Sequence, residues 1–229
     1  MVEDLVTAIV TEIYPAGTAL PPENVLCERY EVSRTVVREA TTALAEKGLV
    51  VSQQGRGTIV QDAEHWSLLD PMILGALFLR GDGLVYLDNL IEIRATLEAA
   101  MAAKAARRLT PADADDLTAQ LRRLDDNVAK PKLYVPEDVR FHELIMRVSG
   151  DRLSAAIISR IQGKALKNIA YFDTMNAAHI RVIHAAHHDI HDAILRRDPD
   201  GAAAAMRAHI ESSWQRRRPV IVAGASEAS

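Results

Sequence analysis

Gln54-Gly55-Arg56-Gly57 marks the one place where the apolar pattern of the chain changes period. It lies between Leu49-Val50-Val51-Ser52-Gln53 and Thr58-Ile59-Val60-Gln61, two β-prone runs whose glycine-rich connection reads as a hairpin. Before the hairpin, apolar residues recur at the three-and-four spacing of helices. Val2, Leu5, Val6, Ile9, Val10 and Ile13 predict a first helix, which Pro15, Gly17, Pro21 and Pro22 end. A second is expected from about Pro22 to Tyr30, then a tight turn at Glu31-Val32. Ser33 is placed to cap a third, running to Lys47 and stopped by Gly48. Three helices followed by a hairpin is the outline of a winged helix-turn-helix.

Beyond residue 62 strand signals vanish. Asp70-Pro71 opens a short apolar helix to about Arg80, and helical patterns then occupy roughly 84–108, 111–129, 136–149, 151–173, 176–197 and 199–218. Among the 229 residues 48% are hydrophobic but only 4% aromatic, so the core must rest on Ala, Leu, Ile and Val, a helix-leaning set. The expected fold is mainly α: a winged helix-turn-helix head with a small β-hairpin wing over 1–62, a linker and connecting helix over 63–82, an all-α effector-binding and dimerisation bundle over 83–220, and a flexible tail over 221–229. The longest uncharged run, near Pro71 to Leu79, is far too short to cross a membrane. Acids at the N-terminus argue against export, and a lone cysteine, Cys27, fits a reducing cytoplasm.

The third helix opens Ser33-Arg34-Thr35-Val36-Val37-Arg38. Arg34 and Arg38, four apart, share a face with Thr35 beside them, while Val36, Val37, Ala40, Ala43 and Leu44 supply the side expected to be buried. An arginine at the start of such a helix can grip a guanine edge with two hydrogen bonds. Taken alone, the arginine spacing fits a solvated face better. The hairpin shifts the balance, because its Gly55-Arg56-Gly57 tip lets backbone and one cation approach a groove, with Gln54, Gly55 and Arg56 as its candidate DNA contacts. Net charge is −4, and residues 1–62 hold five Lys/Arg against nine Asp/Glu, so no broadly basic coat is present. Residues 32–60 reverse that local balance, four against two. So few cations imply few phosphate contacts per subunit, and a homodimer on two half-sites of operator DNA is expected.

Six of eight histidines lie after residue 178, five of them (179, 184, 187, 188 and 191) on one helical segment. At about 100° per residue, His187 falls within about 60° of Ile183, Ile190 and Ile194, whereas His188 points about 100° away. Asp138 and His142 are four apart beside Phe141 and Ile145, and His209 shares a face with Ala202, Ala205 and Met206. A single inward histidine is more often a satisfied core residue than a ligand. Four such groups on three helices each need a partner, and together they make a ligand set for a transition metal. The expected cofactor is one divalent ion per chain, zinc first, with nickel or manganese as alternatives, on Asp138, His142, His187 and His209. Arg94 sits in an apolar stripe with Leu87, Leu90, Leu97 and Met101 and must be paired, either internally with Glu98 or Asp138, or with the carboxylate of an effector.

The stretch from Pro21 to Val60 resembles the DNA-binding domain of the GntR family of bacterial transcriptional regulators. Val32-Ser33-Arg34-Thr35-Val36-Val37-Arg38-Glu39-Ala40 is similar to that family's V-S-R-x-x-V-R-E-A helix, and Gly55 to Val60 to its G-R-G-T-x-V wing. One departure is Asn24, which stands where the family often has a basic residue. The helical remainder resembles the ligand-binding domain of the FadR branch, of the metal-dependent FCD type. Asp138 and His142 match its Asp-x-x-x-His pair, His187 precedes the HDIHDAI stretch in register, and His209 lies in its last helix. The resemblance implies a ligand-responsive regulator, a repressor by expectation, in which a small organic acid completes a metal site. Glu92 to Glu98 is similar to a pattern that supplies effector-binding arginine at Arg94, and WSLLDPMILGALF resembles regulators of sugar-acid catabolism. The competing reading is a helical metal-dependent phosphohydrolase, suggested by the His188-Asp189 doublet.

Overall fold

A computed structural model describes the backbone of residues 1–162 and 177–227, and the side chains of 1–162 and 179–218. The described residues form two compact units, Met1–Tyr86 and the residues from Leu87 onward.

In the first unit, helices α1 (Val2–Val10), α2 (Glu23–Tyr30) and α3 (Arg34–Glu46) precede a hairpin of β1 (Val50–Gln53) and β2 (Gly57–Val60). The strands are antiparallel, with Val50 opposite Val60 and Gln53 opposite Gly57. Ser33 caps α3 through its Oγ, which accepts from the Val36 amide at 3.4 Å. Gly48, at φ +75°, turns the chain out of α3, where a Cβ would collide with the His65 carbonyl. Leu5, Ile9, Val37, Leu44 and Leu49 form the core of this unit. Two apolar residues expected inside stand outside. The chain leaves α1 at Thr11, so Ile13 never joins its face and is 69% exposed. Val36 points about 100° round from Val37 and is 41% exposed.

Helix α4 (Pro71–Leu77) is capped by Asp70, whose Oδ1 accepts from the Met72 amide at 2.9 Å while Oδ2 accepts from Lys47 Nζ at 2.6 Å. Its Ile73, Ala76 and Leu77 enter the same core as α1 and α3, so the segment read as a connector carries a helix built into the first unit.

The second unit holds the part of α5 (Gly83–Arg108) from Leu87 onward, with α6 (Pro111–Asn127), α7 (Pro131–Ser149), α8 (Arg152–Gln162), α9 (Ala177–Leu195) and α10 (Pro199–Glu227). Thr110 and Asp113 form a reciprocal capping box that fixes the start of α6. Helix α9 packs along α10 and α6, and α6 packs against α7. Two boundaries differ from the sequence reading. Helix α7 begins at Pro131 rather than 136, with Pro136 inside it. The missing Pro136 donor costs a ladder bond, and the burial of Tyr134 two residues earlier opposes that cost. Helix α8 is described as far as Gln162, and the rest of the predicted 151–173 segment lies outside the described residues. Helix α10 continues to Glu227, past the expected stop at 218 and through most of the segment expected to be a loose tail. Among the described residues no helix is long and apolar enough to cross a membrane.

Candidate metal centre and nucleic-acid interface

On α7, Tyr134, Asp138, Phe141 and His142 follow the spacing that lines one helical face, and Tyr134, Phe141 and His142 are buried. On α9 the buried stripe is Ile180, Ile183, His187, Ile190 and Ile194, and on α10 it is Ala202, Met206, His209 and Ser213. The three stripes carry polar atoms to one point. One ligand atom from each of Asp138, His142, His187 and His209 lies within 4.8 Å of the others. His187 Nε2 is 3.1 Å from Asp138 Oδ1, and the Nε2 atoms of His142 and His209 are 3.2 Å apart.

The surroundings orient these rings. His142 Nδ1 lies 2.7 Å from Glu98 Oε2, so its Nδ1–H donates to a carboxylate and the ring's other nitrogen, Nε2, is turned to the cluster. Glu98 also accepts from Arg94 Nε at 2.8 Å and from Gln162 Nε2 at 3.1 Å. Burial raises the Glu98 pKa, but the Arg94 guanidinium and His142 outweigh it and bring it to about 2. Tyr134 Oη lies 3.0 Å from His187 Nδ1 and 3.2 Å from His184 Nδ1. Burial, with Asp138 and Asp125 nearby, pushes the tyrosine pKa up, so the phenol keeps its proton.

The cluster holds an acceptor-rich charge state. Burial opposes ionisation of Asp138, yet contact with His187 and the nearby His142 and His209 bring its pKa well below the usual carboxylate range. Burial pushes His187 and His209 down, toward neutral imidazole. A carboxylate and imidazoles brought to one point are a donor set for a borderline divalent cation. Asp138 Oδ1, His187 Nε2 and His209 Nδ1 are buried without a hydrogen-bond partner, the 3.1 Å approach of the first two lacking the alignment of a hydrogen bond. Three such atoms would cost about 1–3 kcal/mol each, so the residues present fit a bound metal.

Arg94, expected either in an internal pair or on an effector, pairs with Glu98, and its side chain is 12% exposed. Periodicity misses Tyr134, because Pro136 reads as the helix start, although Tyr134 stands four residues before Asp138. It also misses the Glu98 contact with His142, which joins residues 44 apart in the chain. His188 is half-exposed and meets Asp125 rather than the buried cluster, and Asp189 is exposed. The doublet that suggested a hydrolase therefore does not face the four converging groups.

In the first unit, Ser33, Arg34, Thr35, Arg38, Gln54, Gly55 and Arg56 are all exposed. Arg38 donates from Nε to Glu23 Oε1 at 2.8 Å, and Arg56 donates from Nη1 to Gln53 Oε1 at 3.0 Å. Hydrogen bonding to Arg38, with a smaller contribution from Arg34, lowers the Glu23 pKa. The α3 surface thus holds an acid–base pair beside Arg34 that the arginine spacing did not reveal.

The family model described as "Bacterial regulatory proteins, gntR family" matches residues 1–60, and the FCD domain model matches 89–212. The chain is 28% identical over 211 residues to the Galactonate operon transcriptional repressor of Escherichia coli (strain K12), covering 90% of each chain. It is also 28% identical over 200 residues to the HTH-type transcriptional regulator LutR of Bacillus subtilis (strain 168), covering 85% of this chain and 89% of the relative. The solved structure of E. coli McbR/YncC aligns over 97% of this chain and 96% of its own, with 20% identity and a TM-score of 0.54, a likeness of fold.

Proposed function

The chain belongs to the GntR family of bacterial regulatory proteins and carries an FCD domain, and from that premise we propose a homodimeric repressor whose hold on operator DNA is released by a small organic acid at a metal centre. The carrying observation is the set of three buried, unpartnered ligand atoms among Asp138, His187 and His209, with His142 beside them. These four residues would hold the ion, zinc before nickel or manganese. When bound, a divalent ion supplies Lewis-acid positions to a carboxylate. Asp138 keeps its negative charge for the ion, and Glu98 holds His142 with its Nε2 inward.

Arg94 is the proposed clamp for the effector carboxylate, with its Nε held by Glu98; its charge already reaches His209. A hydroxy acid of the sugar-acid class is favoured, since one relative bears the name of a galactonate operon repressor. In the first unit, Arg34 and Arg38, with Ser33 and Thr35, are assigned to the major groove, and Gln54, Gly55 and Arg56 to the wing contact.

The ligand must favour one arrangement of the dimer over the other, because only differential affinity shifts DNA binding. A coupling of about 1–3 kcal/mol would change operator affinity roughly 5- to 150-fold. The test is fluorescence anisotropy on DNA from upstream of the protein's own gene, with a panel of aldonates and short hydroxy acids, before and after chelation. At least one acid should weaken binding only when metal is present. Arg94→Lys should reduce that response, because a point charge replaces the planar fork. Identical DNA affinity across the panel with metal present would overturn the reading.

A further inference from the structure

A second group of ligand atoms lies outside the buried cluster. Asp125 projects from α6, and His184 and His188 project from α9 one helical turn apart. Both histidines aim Nε2 at the same oxygen, Asp125 Oδ1, at 2.8 Å from His184 and 2.9 Å from His188. The two rings stand nearly perpendicular, with centroids 5.0 Å apart. Tetrahedral ligands at about 2.0–2.2 Å from one metal ion are about 3.3–3.6 Å apart, so small movements of these three side chains, whose ligand atoms lie within 4.8 Å of one another, would open the group around an ion. His184 is largely buried, while His188 and Asp125 are 45% and 42% exposed, so the open side of the group faces water that would fill the remaining positions.

We propose that Asp125, His184 and His188 form a second, outer site for a zinc- or nickel-like divalent ion, weaker than the buried one and coupled to it through Tyr134. Two imidazoles and one carboxylate suit borderline transition ions rather than calcium or magnesium, which take oxygen ligands. Three protein ligands at a half-exposed position hold an ion less firmly than four buried ones.

The coupling follows from tautomers, and it rests on the metal reading of the buried cluster. An ion on His184 Nε2 fixes that ring's proton on Nδ1, 3.2 Å from Tyr134 Oη. An ion on His187 Nε2 fixes that ring's proton on Nδ1, 3.0 Å from the same oxygen. With one site filled, Tyr134 accepts from one ring and donates its O–H to the other. With both filled, the oxygen accepts twice and the O–H loses its imidazole acceptor. One lost hydrogen bond weakens the second ion by about two- to tenfold.

Equilibrium dialysis of the untagged full-length chain against buffered free zinc tests the proposal. Wild type should bind two ions per chain in separate steps. His188→Asn and Asp125→Asn, at half-exposed positions, should each abolish the weaker step and keep the tighter one. His209→Asn should abolish the tighter step, and with the inner site empty the outer ion should bind about two- to tenfold more tightly. Tyr134→Phe should reduce the separation between the two affinities. A single wild-type step lost in His209→Asn but kept in His188→Asn overturns the outer site and leaves the buried centre standing. A single step with the reverse pattern supports the outer site and overturns the buried centre. A weaker step that survives both His188→Asn and Asp125→Asn also overturns the proposal.

Discussion

Arg34, Arg38 and Arg56 of the first unit stand exposed above a core of aliphatic residues to which they contribute nothing. In the second unit, Glu98, His142, His187 and His209 lie within the core itself, each 5% exposed or less. A solvated charge costs little and makes few demands on its neighbours, so its residue can change without disturbing the fold. A buried one must be satisfied by other named groups, and every member then depends on the rest. Recognition by the first unit is therefore separable from its stability, whereas binding and stability in the second share the same residues.

Removing one member of the buried network should produce the largest effect. Glu98→Ala leaves Arg94 and His142 without their carboxylate, and breaking a buried pair costs about 3–5 kcal/mol. The chain has two tryptophans, with Trp66 in the first unit and Trp214 in the second. Urea unfolding followed by Trp214 in a Trp66→Phe background should shift, while Trp66 in a Trp214→Phe background should not. Equal shifts in both would break the comparison.

A smaller effect, on a different observable, is expected for Arg34→Ala. Specific DNA affinity should fall by about 1–3 kcal/mol if the residue reads a base, with no change in unfolding midpoint. Arg38 is already held by Glu23, so comparing Arg34→Ala with Arg38→Ala sharpens which cation reads and which positions. Unchanged operator affinity in the Arg34→Ala, Arg38→Ala double variant would remove α3 from the interface.

The smallest expected change concerns Asp70, a half-way case, since it is a charged group at the edge of the first core. Asp70→Ala deletes the α4 cap and the Lys47 ion pair and should cost about 0.5–2 kcal/mol. Burial alone would raise the Asp70 pKa, but Lys47 and the Met72 and Ile73 amides bring it below the ordinary value. The group is more acidic folded than unfolded, so its contribution is present above the unfolded pKa of about 3.9 and is lost as pH falls through and below it. The difference in unfolding midpoint between wild type and Asp70→Ala should shrink over that acid range. A gap that stays constant on acidification would show that the charge contributes nothing.

Local pattern alone determined the helical spacing, the hairpin around Gln54 to Gly57, the Ser33 cap, the shared face of Asp138 and His142, and the inward turn of His187. Each follows from helix or strand periodicity acting over a few residues, which fixes the face a side chain occupies. The placement of Val36 and Ile13 escaped that logic, because a helix face is buried only where a neighbouring element covers it, and Ile13 lies beyond the end of its helix. The start of α7 escaped because Pro136 looks like a boundary until the burial of Tyr134 is known. Tertiary structure alone decided that Glu98 meets His142, that Tyr134 joins His184 to His187, that His142 faces His209, and that Glu23 takes Arg38. Those pairs lie 44, 50, 53, 67 and 15 residues apart. Periodicity says which way a residue points but not which helix it will meet, and the energy of a buried polar group depends on that meeting.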